Sequence, residues 1–200
     1  MAESRIAPQS IKLVGGALCL DFANTGYVLR EYGDLVDWML VAGALDEGQA
    51  RGLRRVAAED PKRAEAAFRR AERLRVRIRD MFTAVAHGKH PSERDLHGVS
   101  SLVTKSARFR RIHPLGGRYS WLWDDAERQL DWPAWIIARS SADLLTADHL
   151  NRVRLCAADD CGWLFVDSSR NHSRRWCDMS ECGNRAKARR NYAKKRAEPL

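Results

Sequence analysis

The chain has 200 residues, 44% of them hydrophobic, which suits one medium domain or a domain with a small appendage and argues against a disordered chain. Its formal net charge of +9 is unevenly placed: residues 151–200 carry 12 basic against 6 acidic side chains, so most of the excess sits in the last quarter, as expected of a docking surface for a polyanion. No apolar run is long enough to cross a bilayer, and MAESRIAPQSIKLVGGALCLDF reaches Asp21 too early for a secretory signal, so a cytoplasmic, reducing location with no membrane partner is expected.

In chain order, Ile11–Thr25 is an apolar run broken by Gly15-Gly16 and closed by Asp21, Asn24 and Thr25, which fits a short strand or the start of a buried helix. From Glu31 to Ala44, Leu35, Trp38, Met39 and Ala42 recur at helical spacing, and Gly43 ends the pattern. A further helix runs from about residues 45–47 to Glu59, where Asp60-Pro61 supplies a cap and a proline suited to a first turn. The clearest helix covers Lys62–His87, with an apolar stripe from Ala64 to Val85, arginines on its wet side and Gly88 as its stop. A weaker pattern predicts a helix over Glu93–Lys105. Alternation around Gly116-Gly117 predicts a hairpin between Phe109 and Trp123. Asp131 reads as the cap of a helix from Trp132 to Leu145, and Thr146–Asp148 turns the chain toward Val153 and Leu155. The seven tryptophans are expected to be core residues, as is Cys19.

The remaining four cysteines are spaced Cys156-x4-Cys161-x15-Cys177-x4-Cys182. Two close pairs separated by a hairpin is an economical way to surround one Zn2+, and in a reducing compartment clustered thiols read as metal ligands first. A disulfide pair, an iron–sulfur cluster or unliganded buried thiols are the alternatives; His172 could replace a cysteine, but four cysteines already fill the shell, and a turn or phosphate contact is the expected role for it. Five residues of continuous helix rotate the chain by about 140° beyond a full turn, so Cys177 and Cys182 can face one ion only if a helix begins between them. Ser180 is the expected cap, with the helix running from Gly183 toward Arg196.

That helix places Arg185, Arg189, Tyr192 and Arg196 near one face and Lys187, Arg190 and Lys194 on an adjoining one, while Arg174 and Arg175 precede Cys177. A slim, charged helix pinned by a metal suits a nucleic-acid groove, with double-stranded DNA the leading partner and RNA or an acidic protein the alternatives. A solvated basic tail is the plainer reading. Two copies would lengthen the site, which makes a homodimer attractive, although no coiled-coil register supports it.

Cys182-Gly183-Asn184-Arg185, within RRWCDMSECGNRAKARR, resembles the CGNR zinc finger family, and CGWLFVDSSRN resembles that family's first pair and hairpin. GALCLDFANT, from Gly16 to Thr25, resembles the opening of the helical ABATE domain that accompanies this finger in bacterial proteins described as stress-induced transcription regulators. The resemblance implies that Cys156, Cys161, Cys177 and Cys182 ligate one structural zinc. It also implies a stress-related, DNA-binding regulator, with Asn184 and Arg185 either bonding at the helix start or contacting DNA.

The expected fold is mainly α: a helical N-terminal domain with a short β-hairpin over residues 1–150, then a small ββα treble-clef-like finger over 151–200. Asp21, Asn24 and Thr25 form a candidate sensing pocket for a small-molecule effector, or else cap and buttress a turn. As an enzyme, the chain would have to use these residues with His113 or His149 as base. No nucleophile, base and orienter pattern is visible, and four thiolates leave zinc no open position for water, so no catalytic role is expected.

Overall fold

The computed structural model describes residues 10–124 and 126–197. Its elements are α1 (Leu18–Asn24), α2 (Tyr32–Val41), α3 (Glu47–Glu59), α4 (Pro61–Ala86), α5 (Glu93–Ser106), the hairpin β1 (Arg110–Leu115) and β2 (Arg118–Trp123), α6 (Trp132–Leu145), the hairpin β3 (Val153–Leu155) and β4 (Leu164–Val166), and α7 (Asn184–Ala197). The chain is mainly helical with two small antiparallel hairpins and a C-terminal four-cysteine cluster, as the sequence predicts.

Helix α4 organises the rest. Asp60 caps it by accepting the Arg63 N–H at 3.0 Å, Pro61 begins it, and Gly88 leaves it in the left-handed region with φ +69°. Ala64, Ala67, Phe68, Ala71, Leu74, Ile78, Met81 and Phe82 are buried along one stripe. Around that stripe pack α1, α2, α3, α5, α6 and both strands of the second hairpin. Trp38, Trp132, Phe22 and Leu35 complete a core that also takes in Val153, Leu164 and Val166. The small C-terminal hairpin therefore shares the hydrophobic core of the helical part.

Local signals worked as their chemistry requires. Asp46 and Gln49 form a reciprocal capping box at the start of α3, and Ser92 caps α5. Gly116 and Gly117 both adopt positive φ, 55° and 79°, the conformation demanded by a two-residue turn that matches the twist of β1 and β2.

Two expectations need correction. Asp131 occupies the N-cap position of α6 as expected, but its side chain does not cap: the residue lies in the helical region and its carboxylate takes Nε of Arg70 at 2.7 Å instead. Trp121 is not a core residue, because the β1–β2 hairpin projects from the helices and leaves that ring 56% exposed, while Trp123 stacks inward on Trp135. Of the two readings of the first segment, the start of a buried helix is the one found: Gly15 accepts the Val166 N–H at 2.8 Å beside β4, and α1 begins three residues later.

Candidate metal centre and nucleic-acid interface

The first cysteine pair sits on a knuckle after β3. The Cys156 N–H donates to the Trp163 carbonyl at 2.8 Å and the Cys161 N–H to Ala158 at 3.1 Å, closing a turn that Gly162 leaves with φ +66°. Arg79 of α4 supports the knuckle by donating to the Gly162 carbonyl at 3.0 Å.

The second pair follows the turn between β4 and α7. Asp167 anchors this turn: its buried carboxylate accepts from the Ser169 N–H (2.9 Å) and hydroxyl (2.6 Å) and from the Arg174 N–H (3.0 Å). Burial opposes that carboxylate's charge, yet these hydrogen bonds hold it below the usual range. After Cys177 the chain extends at Asp178, which accepts the Ser180 N–H at 2.8 Å. A wide helical turn, Met179–Gly183, then leads into α7. Helical winding thus begins between Cys177 and Cys182, as their common direction requires, but Asp178 is the cap and Ser180 its donor. Asp178 is preferred because its ionised side chain can also take Nζ of Lys12 at 3.0 Å.

The four thiols converge. Their sulfur atoms all lie within 4.8 Å of one another, with Cys161–Cys177 at 3.6 Å and Cys177–Cys182 at 3.7 Å. Four sulfurs about 2.3 Å from one Zn2+ at tetrahedral corners stand about 3.8 Å apart, whereas a disulfide needs about 2.05 Å. The cluster has the dimensions of a single tetrahedral ion site. His172 is outside it, on the exposed turn with φ +49°. Cys19 is fully buried far from the cluster, and burial pushes its thiol up to about 11.

The CGNR letters have local duties. Gly183 is buried against Met179, Asn184 donates to the Ser180 carbonyl at 2.9 Å, and Arg185 donates to the Cys182 sulfur at 3.2 Å. Such outer contacts orient a ligand and offset thiolate charge.

The candidate nucleic-acid residues separate into groups. Arg174 is used inside the finger: its guanidinium lies 4.5 Å from the centre of the Phe165 ring and donates to the carbonyls of Trp176 and Cys177. Arg185 and Arg189 face the knuckle, where Arg189 pairs with Asp160 at 2.9 Å and Asp159 at 3.8 Å, and Arg185 approaches Asp160 at 3.6 Å. The Asp-Asp pair before Cys161 was the sequence signal for this pairing. Arg175 is exposed and stacked over Trp176, and Lys187 and Arg190 are exposed without an ion-pair partner among the described residues. Lys194 and Arg196 fall on the last turns of α7, outside the described side chains.

Asp21, Asn24 and Thr25 are all buried and all engaged. The Asn24 amide donates to the Leu164 carbonyl at 2.8 Å and accepts the Leu164 N–H at 2.9 Å, so it pairs with β4 as a neighbouring strand would. Thr25 donates to Phe22, and Asp21 accepts the Gly15 N–H at 2.7 Å. Gly15 has no room for a side chain, since a Cβ there would lie 2.9 Å from the Asp21 nitrogen. These residues form the joint between α1 and the finger.

Burial raises the Asp21 carboxyl from 3.8 to about 6, against the hydrogen bonds from Gly15 and Val14. Its charge costs the fold nothing below about pH 4, then increasingly destabilises it as pH rises through about 6. Asp21→Asn keeps an oxygen for Gly15 and is expected to raise the melting temperature at about pH 7 but not below about pH 4. Thermal melts at both values check this.

These elements define a helical protein carrying a four-cysteine finger of the zinc-finger class. The chain belongs to the ABATE family, described as "Putative stress-induced transcription regulator", whose model matches residues 16–148, and the CGNR zinc finger model matches residues 152–195. Among curated proteins none matches the chain. Among the described residues no helix is long and apolar enough to cross a membrane.

Proposed function

We propose that the protein is a zinc-dependent, DNA-binding regulator, with residues 1–150 as its regulatory part and residues 151–200 as its finger. Cys156, Cys161, Cys177 and Cys182 hold one structural Zn2+, supported by their sulfur spacing and by the family of the finger. Four thiolates fill its coordination shell, which suits a structural role and leaves catalysis without an open position. Reduced thiols of this kind suit a cytoplasmic location.

The observation that carries the DNA reading is the placement of α7. Its first turn is fixed to the cluster through Cys182 and Arg185, while residues 187–192 stand exposed. Arg189 and Arg185 are held toward the knuckle, Lys187, rotated by about 200° from Arg185, faces outward, and Arg190 is exposed at the edge of the knuckle. Arg175 adds charge beside a cleft that Arg190 also lines. Lys187, Arg190 and Arg175 therefore contact phosphates, and the basic sequence continues at Lys194 and Arg196.

Fluorescence anisotropy of the zinc-loaded protein on duplex DNA tests the assignment. Lys187→Gln/Arg190→Gln is expected to weaken binding and to reduce the slope of log K against log salt by about 2, because each lost phosphate contact removes about 0.9. Unchanged affinity in the double variant would remove α7 from the interface, and tighter binding to a structured RNA competitor would move the function to RNA.

A further inference from the structure

Helices α4 and α5 do not close on each other along their whole length: between them lies an open groove of about 790 Å³, within the size range of small-molecule sites. Its lining is strongly basic. Arg70, Arg73 and Arg77 come from successive turns of α4, and Arg94 and His97 from the first turns of α5, against the single acid Glu93. Three of these groups carry no ion pair among the described residues, namely Arg73, Arg94 and His97. The other two arginines are held in place, Arg70 by Asp131 at 2.7 Å and Arg77 by the Arg94 carbonyl at 2.9 Å, with Asp95 at 3.8 Å.

Gly98 lines the groove beside the Arg77 guanidinium, and a methyl group there would push that flexible side-chain end aside.

Orientation separates the groove from the finger. Arg79, which reaches the finger at Gly162, follows Arg77 by two residues and so points about 200° away around α4. The groove opens on the opposite side of α4 from the cluster.

We infer that the α4–α5 groove binds a small polyanion bearing phosphate groups, with Arg73 and Arg94 as its direct partners and Arg70 and Arg77 as preset supports. Guanidinium groups pair phosphate oxygens in a bidentate manner, and several converging on one groove select for a ligand of more than one negative charge. This inference does not depend on the reading of the finger.

Titration of the zinc-loaded full chain with inorganic pyrophosphate, followed by calorimetry and thermal shift in physiological salt, tests it. Saturable binding with a rise in melting temperature is expected. Arg73→Gln/Arg94→Gln, two exposed positions, is expected to leave the unliganded melt unchanged and to weaken pyrophosphate binding on the order of tenfold or more. Gly98→Ala should weaken it as well by displacing Arg77. Absence of saturable binding, equal binding by the double variant, or binding lost instead in Lys187→Gln/Arg190→Gln would each overturn the inference. A parallel loss of duplex DNA affinity in Arg73→Gln/Arg94→Gln would assign the groove to the nucleic-acid backbone and overturn the small-ligand site.

Discussion

Stripping the metal with a strong chelator, or replacing Cys182 by alanine, is expected to unfold the two cysteine turns and the start of α7 while α4 and β4, which share the helical core, keep their structure. Around the cluster the finger has few large apolar residues to bury: its own cluster contains Phe165, Ala158 and three buried cysteines, with Trp163 and Trp176 half-buried beside them. A structural zinc supplies about 10–16 kcal/mol of apparent folding free energy in small fingers, which exceeds what so few side chains provide. Without it, four thiols packed within 4.8 Å have no common ligand, and Arg185 loses its thiolate partner. Amide exchange resolves the outcome: protection should vanish at the two cysteine turns and over residues 177–190, and persist along α4 and in β4. Metal analysis of the wild type should find about one zinc per chain. Full protection of the finger in Cys182→Ala would show that the cysteines are only buried thiols.

Asn24→Ala is expected to cost about 2–5 kcal/mol, read by urea denaturation of the zinc-loaded protein. The substitution deletes two hydrogen bonds and leaves the Leu164 N–H and carbonyl unpaired in a fully buried strand. Asn24→Asp separates the chemistry from the volume. It keeps an acceptor for the N–H but turns a second oxygen toward the Leu164 carbonyl, and it should be as damaging as alanine. An unperturbed melt for both variants would mean that the apolar contacts of Leu164 and Val166 alone fasten the finger to α1.

The helices and the metal cluster were legible in sequence because their signals are local. Caps such as Asp60, stops such as Gly43 and Gly88, and the stripe along α4 each act within a few residues. Cysteine spacing similarly marks a compact four-thiol cluster within one short stretch. What the sequence concealed was long-range. Asn24 and Leu164 are 140 positions apart, and nothing near either names the other. Asp131 has the residue type of a cap, but Arg70 from a different helix competes for it. Arg174 and Arg189 look like free charges in a basic stretch until Phe165 and Asp160 are placed beside them. Trp121 misled for a related reason: its size predicts burial, whereas the hairpin that carries it extends beyond the core.

That projecting hairpin has a consequence for the protein at high concentration. Two strands alone leave both outer edges open, and Ile112, Tyr119 and Trp121 share one broadly exposed face. Such a ribbon is a template on which another chain could add a strand. Arg110, Arg111 and Arg118 interrupt the apolar sequence, and Pro114 removes a backbone donor from β1. The guanidinium groups thus serve as gatekeepers, and because repulsion between like charges is screened by salt, colloidal stability depends on ionic strength at this hairpin even though the helical core does not.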